Sequence, residues 1–135
     1  MKITRAFARR FRLLRLLTLS LLCGAAYDLF FAALMVLAPD VPVRLFHLPL
    51  PGETFYLWLM ATFLLMLAAC YLLAAQDPRR YSGIIAIAIA GRWLGALAFT
   101  VAAWQNPNLA GLYPLAAADF LFGAAHAVCW VPLRA

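Results

Sequence analysis

The chain has 135 residues, of which 67% are hydrophobic and only 12% charged, with a formal charge of +6. A soluble domain runs nearer half apolar, so this composition, with a mean hydropathy of +0.92, excludes an ordinary soluble globule and predicts a membrane protein. The basic excess would suggest nucleic acid in a soluble chain; here Lys and Arg sit at the ends of apolar stretches, where the positive-inside rule accounts for them, and no nucleic-acid partner is expected.

The length fits one domain, residues 1–135. Residues 1–12 interleave Lys2, Arg5, Arg9, Arg10 and Arg12 with Phe7 and Phe11, which predicts an amphipathic lead-in lying on an anionic leaflet or a basic tail that sets topology. The first apolar stretch, 13–38, follows. A cleaved signal peptide is disfavoured because the apolar run continues past Asp28 to Ala38 without a polar break, so the stretch reads as a transmembrane helix. It exceeds the ~20 residues that cross the hydrocarbon and should tilt or project on its basic side. Pro39 ends it. Asp40 to Leu48 then predicts a short interfacial helix capped by Asp40, with Pro42 in its first turn and His47 at headgroup level, stopped by Pro49, Pro51 and Gly52.

The second span, 55–75, enters through Tyr56 and Trp58 as an interface belt and leaves at Gln76-Asp77-Pro78-Arg79-Arg80; it carries no charge, and Thr62, Cys70 and Tyr71 are its candidate cavity-lining residues. The third span, 84–104, contains Arg92 and a Gly91-x-x-x-Gly95 pair, which predicts close approach of a neighbouring backbone beside the arginine. Gln105 to Asn108 makes the turn. The fourth span, about 110–131, tolerates Pro114 in its first turn and carries Asp119, Gly123 and His126. The expected fold is therefore all-α, a polytopic four-transmembrane-helix bundle with a short interfacial helix between the first two spans.

Four spans place both termini on one side. Lys2, Arg5, Arg9, Arg10, Arg12 and Arg15, then Arg79, Arg80 and Arg134, all fall on that side; Arg44 alone falls opposite. The termini should therefore be cytoplasmic, in a bacterial inner membrane.

Asp28, Arg92 and Asp119 are the residues with chemistry to offer. At 1.5 Å per residue they lie about 15, 18 and 10 to 15 Å below the outer helix ends, so they can share one layer. A lone charge at a helix centre costs roughly 2.5 to 3.5 kcal/mol on insertion scales, which makes a buried Asp28, Arg92, Asp119 cluster the expected arrangement. One guanidinium can bridge two carboxylates, yet two anions against one cation leave a negative charge unless one acid holds a proton. The cluster is thus either a polar clasp that fixes helix register or a proton site. His126, two turns after Asp119, shares its face with Phe122 and Gly123 and could extend a proton path or simply bond a neighbouring helix; Tyr27, beside Asp28, is a further proton or ligand contact. A second axial His for haem is missing. The three cysteines, Cys23, Cys70 and Cys129, form no CxxC pair and stand near no His at ligand spacing, so they read as packing residues and no metal is predicted. A faint echo between Ala26-Tyr27-Asp28-Leu29-Phe30-Phe31-Ala32-Ala33 and Ala118-Asp119-Phe120-Leu121-Phe122-Gly123-Ala124-Ala125 runs in opposite directions across the membrane, as an inverted repeat would. No GxSxG, Walker loop, HExxH or dinucleotide fingerprint occurs, and no catalytic residue is assigned.

With an early Asp, a Gln-Asp-Pro-Arg-Arg exit, Arg in the third span and Asp with His in the fourth, the outline resembles the many small bacterial four-helix inner-membrane proteins of unassigned activity. The first-span acid is similar by residue type to that of small multidrug-resistance transporters, from whose pattern Arg92 departs. Membrane sterol isomerases also bury acids in small bundles, without a motif shared here. The expected function is that of a non-enzymatic accessory subunit or binder of a lipophilic molecule such as lipid or quinone; the alternatives are a proton-coupled carrier working as an oligomer and a membrane-embedded acid-base enzyme built on Asp119 and His126. Expected partners are the bilayer and either further copies of the chain or a larger membrane complex.

Overall fold

A computed structural model describes residues 2–49 and 51–134. Five α-helices succeed one another: α1 Lys2–Leu37, α2 Asp40–Phe46, α3 Thr54–Gln76, α4 Ser82–Gln105 and, after a 3-10 helix over Pro107–Leu112, α5 Tyr113–Arg134. Among the described residues there is no strand. Four of the helices are long and apolar enough to cross a membrane, so the fold is a four-helix transmembrane bundle with a short helix between the first two spans. α1 packs most closely on α3 and α4 on α5; contact between α1 and α5 joins the two pairs, and α3 meets α4 more loosely.

The interior is small-sided and polar while the exterior is large and apolar. Buried positions recur every three or four residues, as at Ala116, Asp119, Gly123, His126 and Trp130 on α5, the spacing of a left-handed helical seam. Most buried apolar residues are alanines, among them Ala25, Ala61, Ala68, Ala88 and Ala96, whereas Leu19, Phe30, Phe63, Leu94, Leu121 and Val128 are each more than half exposed on the outside. So much apolar surface would not persist in water, and it matches a lipid environment. Lipid gives apolar side chains little reason to turn inward; small side chains that admit close packing, and polar groups that must find partners, occupy the centre instead.

α1 joins the basic lead-in and the first span. It is one unbroken helix of 36 residues, about 54 Å at 1.5 Å per residue, which is longer than the ~30 Å hydrocarbon of a bilayer. No Pro interrupts Lys2 to Leu37, and the lone Gly24 falls inside the span, so nothing in the basic run would bend the helix onto a surface. The side chains of Lys2 and Arg5 lie outside the described residues.

α2 also departs in detail. Its N-cap is Pro39, and Asp40, in the first helical turn, makes no side-chain capping bond. Its end is set before the prolines: His47 adopts a left-handed conformation (φ 51°), its N–H donates to the Arg44 carbonyl, and the Leu48 N–H donates to the Val43 carbonyl at 3.0 Å, which is a Schellman stop. The His47 ring is thus carried by a residue whose backbone terminates a helix. α2 docks on the 3-10 helix, where a Cβ on Gly111 would collide with the Phe46 carbonyl oxygen. Between α3 and α4, Asp77 Oδ1 accepts the backbone N–H groups of Arg79 and Arg80, and this short turn returns the chain.

Candidate functional site

Each of the four long helices contributes to one buried constellation. Arg92, on the inner face of α4, spends its donors on three partners: Nη2 donates to Asp28 Oδ1 of α1 at 2.7 Å, Nη1 to Asp119 Oδ1 of α5 at 2.6 Å, and Nε to the Tyr71 hydroxyl of α3 at 2.8 Å. The two acids are each held by a single oxygen, so the guanidinium bridges them and clamps neither. Asp28 and Tyr71 are fully buried, and Arg92 and Asp119 nearly so. The expected Asp28, Arg92, Asp119 cluster is present in the fold, and Tyr71 completes it.

Aromatic rings enclose the cation. The Tyr27, Tyr71 and Phe122 rings have their centroids 5.4, 5.3 and 5.2 Å from Arg92 Cζ. A desolvated cation over an aromatic face gains up to about 2 kcal/mol, so this cage offsets part of the cost of burying the guanidinium in lipid. Tyr27 therefore touches the cluster through its ring. Of the five guanidinium N–H groups, three are in use among the described residues and two remain.

On the side of the cluster away from the termini, a cavity of about 70 Å³ opens between the four long helices. Arg92, Asp119 and Tyr27 form its polar end, and Phe31, Met60, Leu64 and Phe99 stand among its walls. Met60 is 43% exposed and brings the cavity to the outside of the bundle. The volume admits a group of a few heavy atoms, and the unbranched Met60 side chain can adjust the wall around it.

On the other side of the cluster, His126 is fully buried and its Nδ1 lies 2.6 Å from Ser20 Oγ, so it binds α1 and makes no bond to Asp119. Its ring also stacks edge-on with Tyr71, centroids 5.4 Å apart. Among the described residues, two buried side-chain polar atoms have no hydrogen-bond partner: Asp28 Oδ2 and His126 Nε2. Gly24, one turn before Asp28, makes room here, since a Cβ at that position would stand 3.4 Å from Tyr71 Cε2 and 3.5 Å from His126 Nε2.

The glycines separate in role. A Cβ on Gly95 would lie 2.8 Å from Asp119 Oδ2, so Gly95 makes space for the carboxylate; a Cβ on Gly91 would meet nothing within 4 Å. The expected Gly91-Gly95 approach of two backbones is therefore corrected: Gly91 faces outward. With about 100° per residue, Gly95 lies about 60° and Gly91 about 100° from the direction of Arg92, and the second falls beyond the interface. Gly123 receives the Trp93 indole, which a Cβ would meet at 2.6 Å from Nε1. Thr62 donates to its own helix at the Trp58 carbonyl, and Cys70 is exposed, so neither lines this cavity. Cys23 is exposed as well, whereas the half-buried Cys129 packs against the buried core, so of the three cysteines Cys129 alone serves packing. No group of residues that could hold a metal occurs among the described residues.

No family model, curated protein or solved structure matches the chain. The functional reading therefore rests on the geometry of the site.

Proposed function

We propose that this protein is a non-enzymatic integral membrane protein of the bacterial inner membrane, with cytoplasmic termini, that receives the polar head of a lipophilic molecule of the lipid or quinone class. The observation that carries this reading is the cavity that ends on Arg92: apolar walls suit a hydrocarbon tail, and the two uncommitted guanidinium N–H groups suit a carbonyl or hydroxyl oxygen at the head. A binder of this kind can serve as an accessory subunit, and its exposed apolar faces leave room for further copies or a larger complex.

Native mass spectrometry of the detergent-purified protein tests the reading. Wild type should retain a lipophile that Leu64→Trp, which fills the cavity without touching a charge, releases while the fold stays intact. Equal retention by both proteins would remove the cavity as the binding site.

A second reading, a proton-coupled carrier, is favoured by two carboxylates set against one cation and by the unpartnered Asp28 Oδ2 and His126 Nε2. In proteoliposomes under a pH gradient such a carrier should conduct protons and lose that flux on Asp28→Asn. Absence of flux in wild type would exclude it.

A further inference from the structure

A second cavity, of about 340 Å³, lies at the end of the bundle that carries the termini. Leu14 and Leu17 of α1 wall one side and Trp130 of α5 the other, the Arg79 turn and the start of α4 at Ser82 close it, and Arg134 lies in the last turn of α5. No Asp or Glu is among the residues that line it. Asp77, the nearest acid in sequence, uses Oδ1 on the backbone N–H groups of Arg79 and Arg80, and among the described residues neither Arg79 nor Arg134 makes an ion pair. Arg134 is oriented by stacking, its Cζ 4.7 Å from the Trp130 ring centroid. The cavity therefore joins two guanidinium groups, neither in an ion pair among the described residues, to leucine and tryptophan walls at the basic end of the apolar helices.

We propose that this cavity binds the phosphate diester of an anionic phospholipid. Arginine forks match phosphate oxygens, and the basic concavity between helix ends places charge where a headgroup sits. The half-buried Ser82 hydroxyl adds a donor, and the N–H groups opening α4 favour the same anion. The apolar walls take the glycerol and the first carbons of a chain, which a free anion would leave uncovered. This site is separate from the Arg92 cavity and stands without it.

Arg80 supplies the control. It carries the same charge on the same turn, yet it stacks on Tyr81 at 5.6 Å and does not line the cavity. Delipidated full-length protein is titrated with phosphatidylglycerol, phosphatidylcholine or inorganic phosphate and read by native mass spectrometry and thermal shift. Wild type should hold one phosphatidylglycerol in preference to phosphatidylcholine. The double variant Arg79→Gln, Arg134→Gln should weaken that binding about 30-fold, roughly fivefold per arginine, while Arg80→Gln keeps it. Leu14→Trp, which fills the cavity with every charge in place, should also lose it. Equal loss from Arg80→Gln and the double variant would overturn the site in favour of diffuse adsorption. Retained binding in Leu14→Trp, or equal retention of the two lipids, would overturn it as well, and stabilisation by inorganic phosphate matching that by phosphatidylglycerol would overturn the lipid assignment.

Discussion

At the scale of single residues, the cluster was legible because charge in an apolar run is conspicuous and costly: Asp28, Arg92 and Asp119 stand at matching depth in spans otherwise built of Ala, Leu, Phe and Val. Tyr71 was legible only as a possible cavity residue, since a phenol near a span end reads equally well as an interface anchor; its bond to Arg92 Nε exists because the ring reaches inward to the buried guanidinium. Tyr71→Phe should leave the Nε–H buried without an acceptor and cost about 1 to 3 kcal/mol, measured by unfolding in detergent. No loss would mean that Nε finds another acceptor. The glycine pair differs from the expected backbone approach for a geometric reason: two residues four apart share a face loosely, and the edge of the α4 interface falls between them. Gly95→Ala should push Asp119 off Arg92 and lower the Tm. Gly91→Ala should raise stability by up to about 1 kcal/mol through helix propensity alone. A matching loss in both variants would restore the backbone-approach reading of the pair.

At the scale of elements, the four long helices follow from apolar length, so their existence was readable, whereas α1 begins at Lys2 and not at residue 13, and a 3-10 helix over Pro107–Leu112 precedes α5. What a linear reading lacked was tertiary support. The end of α2 looked like the work of Pro49 and Pro51, whereas the left-handed His47 ends it first, in a conformation that a sequence does not announce for histidine. Gly111, unremarked in a turn, proves to be where α2 rests on the 3-10 helix. Gly111→Ala should lift α2 from its seat and raise amide hydrogen exchange across Asp40–Phe46, with exchange in α3 unaffected. Unchanged protection of α2 would show that the contact yields without cost.

At the scale of the whole molecule, the bundle inverts the soluble arrangement, with charge at its centre and leucine outside, and its cohesion follows from that inversion, while the proposed orientation rests on the basic residues gathered at one end. Cysteine accessibility labelling in a cysteine-free background should place residues 79 and 134 on the cytoplasmic side and residue 47 on the other; an outward-facing residue 134 would refute the orientation. Cohesion rests on the bridge from Arg92 to Asp28, Asp119 and Tyr71, which ties α4 to the three other spans in one layer. Removing the cation alone strands two carboxylates in a low dielectric, a change that typically costs about 3 to 5 kcal/mol, whereas replacing all three charged groups strands none. The most direct measurement is therefore the Tm in detergent of Arg92→Leu beside the triple variant Asp28→Asn, Arg92→Leu, Asp119→Asn. The bridge predicts a large fall for the single variant and recovery of most of it in the triple one. Equal destabilisation of the two, without rescue, would contradict it.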